Sequence, residues 1–176
     1  MYKAALMTAG VYDAQVKVGA PFGVSGTAAL TGIYKAYENI TGVQLQQSAK
    51  ETATDELVIT AELADQLNEV DAVAIVNELK LILDETKTMT DDQLREQVVQ
   101  IAAQYGYTLD DDTISRLIGL CRDLEGLSTN ELQEKVQQFK DALTSVTHYA
   151  QQVQGFGAKV ASFFQGVVDF FKNLFG

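Results

Sequence analysis

Apolar residues recur along most of this chain at spacings of three and four, the pattern of helices that bury one face. Ala28, Leu30, Ile33, Tyr34 and Tyr37 form one such series, opened by Ser25-Gly26-Thr27 and broken at Gly42. Residues 45–68 are more polar, with Leu57, Ile59, Leu63 and Leu67 as their apolar positions. Residues 70–85 predict a single helix, in which Val73, Val76, Leu79 and Leu83 share a face that Ile75 and Ile82 widen. Leu94, Val98, Ile101 and Ala102 mark the next helix, closed by Gly106, and Ile114, Leu117, Ile118 and Cys121 mark another that stops near Gly126. Leu132, Val136, Phe139, Leu143 and Val146 carry a long helix to about residue 154, where Gly155-Phe156-Gly157 interrupts it.

The helix starts are also legible. Thr90 with Gln93 three residues on is a capping box, and Ser128 with Glu131 repeats it. Asp110-Asp111-Asp112 places acid at a helix N-terminus, where the backbone dipole favours it. Residues 90–142 read as a compact unit of three helices with short connections.

The N-terminal end departs from this pattern. Residues 2–9 predict a short apolar helix stopped by Gly10. Residues 11–18 alternate, with Val11, Asp13, Gln15 and Lys17 against Tyr12, Ala14, Val16 and Val18. That predicts a strand, ended by Gly19-Ala20-Pro21 because proline cannot donate to a ladder. One strand cannot satisfy its own backbone groups, and no second convincing strand follows, so its partners are expected upstream of residue 1. The fold expected is mainly α. Residues 1–42 would be a strand–loop–helix left from an α+β segment, residues 43–154 a helical domain of six to seven helices, and residues 155–176 an amphipathic C-terminal helix.

Charge narrows the function. The 176 residues carry 13 Lys+Arg against 24 Asp+Glu, a net charge of −11, which argues against nucleic acid as a partner. One Cys and one His leave no disulfide framework and no Cys/His cluster for zinc, so neither metal nor cofactor is expected. Residues 1–10 are too short and too polar for a signal peptide, and no run of 18 apolar residues exists.

The candidate catalytic motifs fail on spacing. The glycine-rich residues 19–32 lack the Lys-Ser/Thr pair of a P-loop and contain no G-x-G-x-x-G. Gly23-Val24-Ser25-Gly26-Thr27 imitates a nucleophile elbow, but Thr27 stands where that motif needs glycine. A helix cap is the better reading of Ser25, and Cys121 reads as a small core residue. His148 reads as a surface or partly buried histidine near a helix end. Counted as a calcium loop from Asp110, the sixth residue is Ser115 and the twelfth Cys121, where glycine and glutamate are required. Tyr34, Tyr37, Tyr105 and Tyr107 are candidates for a ligand groove, although tyrosine on a helix face is more often the edge of a core.

The tail is the most unusual stretch, with six of the chain's eight Phe between residues 156 and 175. As a helix it places Phe156, Val160, Phe163, Phe164, Val167, Phe171 and Leu174 on one broad face, opposite Ser162, Gln165, Asp169, Lys172 and Asn173. Such a face either closes the core or meets a membrane surface, a protein partner or a second copy of the chain. Lys159 and Lys172 are its only basic residues, so membrane binding would rest on apolar burial.

The runs Ala5-Leu6-Met7-Thr8-Ala9-Gly10-Val11, Ala20-Pro21-Phe22 and Val24-Ser25-Gly26-Thr27-Ala28-Ala29-Leu30-Thr31-Gly32 resemble the YpuA-type secreted proteins of Gram-positive bacteria, a family of unassigned function. Lys35-Ala36-Tyr37-Glu38, Glu56-Leu57-Val58, Thr108-Leu109-Asp110-Asp111 and the Phe-rich tail are similar to that family too. The likeness covers most of the chain and loosens after about Thr41. It implies secretion or residence in the cell envelope, with a signal peptide and an α/β segment ahead of residue 1. No catalytic residues come with it. The shared glycine-rich tract makes Pro21, Phe22, Ser25, Gly26 and Thr27 the loop candidates for binding. The function expected is a non-catalytic binding protein using its C-terminal helix at a membrane surface or for self-association. The alternatives are a small hydrolase or ligand-binding enzyme using residues 21–32, and a membrane-active secreted effector working through residues 156–176.

Overall fold

A computed structural model describes residues 1–152, with side chains for residues 1–142. Its eight described helices are α1 (Tyr2–Thr8), α2 (Gly26–Thr41), α3 (Gln47–Gln66), α4 (Glu69–Leu81), α5 (Leu83–Thr86), α6 (Asp91–Gln104), α7 (Asp111–Glu125) and α8 (Thr129–Gln152). The class is mainly α, as the hydrophobic spacing predicts. The Phe-rich tail face lies outside the described residues, and so does the side chain of His148.

The strand expected at residues 11–18 does not form. Val11 is buried, but its amide donates to Leu6 O at 2.8 Å and so closes α1 rather than joining a ladder. Asp13, Ala14, Gln15, Val16 and Lys17 are all exposed, so both sets of alternating positions face solvent. Alternation specifies a strand only when one set has a surface to lie on, and here neither has. Gly10 makes the turn possible with a φ of +86°, and Gly42 ends α2 in the left-handed region at +71°.

The helix predicted over residues 70–85 is two. Ile82, with φ −103° and ψ 13°, separates α4 from α5. α4 is buried on most of its circumference, through Ala72, Val73, Ile75, Val76, Asn77, Leu79 and Lys80. It contacts α3, α6, α7 and α8, and a helix surrounded in this way shows no clean polar face. Leu94, Val98 and Ala102 of α6, Leu117, Cys121 and Leu124 of α7, and Leu132 and Val136 of α8 close around it in the main core.

A second apolar cluster lies at the N-terminal end. Leu30, Ile33 and Tyr34 of α2 meet Ala53 and Leu57 of α3, Ala5 and Leu6 of α1, and the α1 cap residue Ala9 there. α1 belongs to both clusters, since Ala4 and Met7 turn toward the main core. Seven residues are too few for a helix to hold on its own, so α1 depends on this two-sided burial.

The predicted caps of α6 and α7 form, while among the described residues no capping hydrogen bond joins Ser128 and Glu131 at the start of α8. Thr90 and Gln93 form the reciprocal capping box at α6, with Gln93 N donating to Thr90 Oγ1 at 3.3 Å and Thr90 N to Gln93 Oε1 at 2.9 Å. Asp110 caps α7 by accepting from Thr113 N at 2.7 Å.

Candidate functional site

The loop candidates separate in the structure. Ser25 is the N-cap of α2, its Oγ accepting from Ala28 N at 3.1 Å, and its other described hydrogen-bond contact is Thr27 Oγ1 at 3.1 Å. Both residues are thus engaged at one helix start. Gly26 lies under α1, where its carbonyl accepts from the Tyr2 hydroxyl at 3.0 Å. Pro21 is exposed, and Phe22 keeps 73% of its surface in solvent. Cys121 is wholly buried on α7, and burial pushes its thiol up to about 12, with Glu125 adding to the shift. A thiol so far from ionisation is a poor nucleophile.

Two polar arrangements not anticipated from sequence organise the interior. The first joins α1, α3 and α4. Lys80 Nζ donates to Glu56 Oε1 at 2.6 Å and to Ala4 O at 3.1 Å, while Thr8 Oγ1 donates to Glu56 Oε2 at 2.5 Å. The side chains of the ion pair are 0% and 1% exposed. Burial pushes the Lys80 ammonium below its ordinary range, against the pull of the Glu56 carboxylate. The hydrogen bonds to Ala4 O and from Thr8 pin both ends of α1 to the pair. A buried pair of this kind holds only while every partner is present.

The second arrangement centres on Arg122. Its Nη2 reaches Asp91 Oδ1 and Met89 O, both at 2.8 Å, and its Nη1 reaches Glu125 Oε1 at 2.9 Å and Thr86 O at 3.0 Å. The planar fork of arginine thereby ties the α5–α6 connection to α7. Three further ion pairs lie at this end: Arg95 with Asp111, Arg116 with Glu62, and Lys87 with Asp84. The candidate tyrosines of this side are engaged as well. Tyr107 donates to Asp71 Oδ2 at 2.8 Å and Tyr105 to Glu78 Oε1 at 3.3 Å. Burial and the Glu78 carboxylate push the Tyr105 phenol up to about 12.

Between α2 and α3 the situation differs. Their apolar faces meet below, and above the seam a cleft of about 550 Å³ stays open. Its walls are two helical stripes: Thr31, Tyr34, Lys35 and Glu38 from α2, and Gln47, Lys50, Glu51, Thr54 and Asp55 from α3. Glu38 is held by Lys50 Nζ at 3.0 Å and Leu45 N at 3.1 Å, which lower its carboxyl from the ordinary range. Tyr34 is only 4% exposed, and its hydroxyl is sealed from solvent beside the Thr54 hydroxyl, without a hydrogen bond of good geometry among the described residues. Burial pushes the phenol up to about 12, an effect Thr54 partly offsets and buried Glu56 increases. An unsatisfied buried hydroxyl costs about 1–3 kcal/mol. Thr60 Oγ1 and Asn77 Oδ1 are the other buried polar side-chain atoms without a partner among the described residues. Those two lie on α3 and α4, and neither residue lines the cleft.

Comparison with known proteins places the chain in a family. Residues 1–146 match the family described as protein of unknown function DUF1002. The chain belongs to the DUF1002 family. It is similar to the uncharacterised protein YpuA of Bacillus subtilis (strain 168), with 34% identity over 179 residues. The match takes in 99% of this chain and 58% of that relative, so the chain spans less than two thirds of the relative's length. No solved structure matches it. The resemblance read from sequence thus holds. In this DUF1002 chain, Lys35 and Glu38 of that resemblance stand on the cleft wall, and Glu56 supplies the buried carboxylate.

Tyr34 was legible as a groove candidate, and its place at the core edge fits the simpler reading as well. The Glu56–Lys80 pair was not foreseen. The available signal was position: Lys80 follows Val76 by four and Leu79 by one, inside an apolar stripe where a charge needs a buried partner.

Proposed function

We propose that this DUF1002 chain is a non-catalytic binding protein of the cell exterior or envelope, and that its Phe-rich C-terminal stretch is the contact surface for a membrane. The observation that supports the reading is the use made of the reactive groups. Ser25 is taken up in capping α2, and Cys121 is sealed in the core with its thiol raised. Engagement of Ser25 Oγ with Ala28 N and Thr27 Oγ1 at that cap weighs against the hydrolase alternative at residues 21–32. The exterior location is inferred from the resemblance to secreted relatives. Residues 156–175 supply the surface, with six Phe and an amphipathic spacing. Because the chain carries a net charge of −11, the attraction rests on apolar burial rather than on anionic headgroups.

The test is co-sedimentation of the whole chain with phosphatidylcholine vesicles, beside the variant Phe163→Ser/Phe164→Ser/Phe171→Ser, with light scattering on both. The whole chain is expected to pellet with the vesicles and the variant to stay in solution. Retention of both in the supernatant sinks the membrane reading. Scattering from a dimer or larger species, lost in the variant, would move the surface to self-association.

A further inference from the structure

We propose that the loop of residues 19–23 is a proteolytic processing site, cut between Phe22 and Gly23 by an endoprotease with an apolar pocket for an aromatic side chain. The proposal is independent of what the C-terminal stretch does.

Three features converge on that bond. The first is access. Residues 19–23 are all exposed, and a Cβ added at Gly19 or Gly23 would meet no atom within 4 Å. None of residues 13–24 makes a hydrogen bond with a described residue. An endoprotease takes its substrate as an extended strand, held through main-chain hydrogen bonds. This loop can be drawn into that form without breaking a bond of its own, whereas a helix has to unfold first.

The second feature is the side chain at the cut. Phe22, at 73% exposure, is the one aromatic among the large exposed apolar residues of the described chain. Of the others, Ile40, Val70 and Val99 lie within α2, α4 and α6. Chymotrypsin-type sites choose their bond with an apolar slot for the residue before it. Gly23 leaves the far side of the bond unobstructed, and Pro21 biases Ala20 toward extended backbone. Hydrolysis consumes one water. The Phe22 carbonyl carbon takes its oxygen and ends as a carboxylate, and the Gly23 nitrogen leaves as an amine that gains a proton.

The third feature is what the cut separates. Ahead of it, α1 is held by Lys80 at Ala4 O, by Glu56 at Thr8 and by the bond from Tyr2 to Gly26 O. Lys3 Nζ also lies 4.3 Å from the ring centre of Phe139 on α8, and Val18 packs against the second apolar cluster. Behind the cut, Ser25 caps α2. None of these anchors uses residues 19–23, so both pieces keep their places. The cut removes only the tether, and α1 docking changes from an intramolecular event to a bimolecular one. Residues 1–22 become a dissociable piece whose departure uncovers the Glu56–Lys80 pair.

The experiment is limited digestion of the whole chain with chymotrypsin, with mass spectrometry of the products and gel filtration of the nicked protein. Among the bonds of residues 1–142, Phe22–Gly23 is expected to be cut first. Residues 1–22 are expected to co-elute with the remainder in buffer and to separate from it in urea. Phe22→Asp, at an exposed position, should slow that cut at least about tenfold with Tm unchanged. The Tm of the nicked protein should rise with protein concentration, while that of the intact chain stays fixed. An earlier cut inside any of α1 to α7 overturns the proposal, as does undiminished cutting of residues 19–23 in Phe22→Asp. Loss of residues 1–22 in buffer, or a nicked Tm that ignores concentration, overturns the docked two-piece product.

Discussion

The two ends of this molecule use polar side chains in opposite ways. Around α5, α6 and α7, Arg122 meets two carboxylates and two backbone carbonyls. Around α2 and α3, a buried phenol has no well-aligned partner among the described residues, and a lysine and an aspartate face open space unpaired. What separates them is satisfaction. A network whose donors all find acceptors rigidifies a fold, whereas a buried group without a well-aligned partner costs stability.

The buried pair between the two ends is the most sensitive place to probe this contrast. Lys80→Met strands the Glu56 carboxylate in a dry interior and is expected to lower unfolding free energy by about 3–5 kcal/mol in urea titrations. The double variant Lys80→Met/Glu56→Leu should regain most of that loss. If the double variant is as weak as the single one, the pair contributes through α1 docking rather than through charge compensation.

Arg122→Ala tests the satisfied end. It removes hydrogen bonds that are partly open to water, and a loss of about 1–2 kcal/mol is expected from the shift in urea midpoint. Arg122→Lys should recover less than half of it, because an ammonium cannot span the same fork. A loss near zero would place the network among ordinary surface pairs.

The smallest effect is set by pH. The Thr113 backbone amide holds the Asp110 carboxyl below its ordinary value of 3.8. A carboxyl depressed on folding contributes stability that is complete above its unfolded value and is lost as pH falls through the folded one. Thermal scans in acid should therefore show a decline below about pH 4 that is shallower in Asp110→Asn, which keeps the cap without the charge.

How much of this was legible depends on whether the signal is local. The buried faces of α6 and α7 and the capping box at Thr90 were readable because each rests on residues three or four apart. The single helix over residues 70–85 failed at Ile82 because a helix buried nearly all round gives no periodic cue to where it breaks. The strand at residues 11–18 failed because alternation says nothing about whether a partner exists. The Glu56–Lys80 pair joins residues 24 apart and takes a third partner from α1, so it exists only in the packed structure. The cleft was half legible. Tyr34, Lys35 and Glu38 share a helix stripe in any reading, but the missing hydrogen bond is a property of three dimensions.

The lone cysteine turns the fold into its own reporter. Cys121 is the chain's single thiol and lies at 0% exposure among the helices packed on α4. No reagent reaches it until α7 parts from that core. Its rate of alkylation therefore times local opening, one event per molecule and without an introduced label. Because the thiol is also raised, the chemistry after exposure can be set by pH separately from the opening itself.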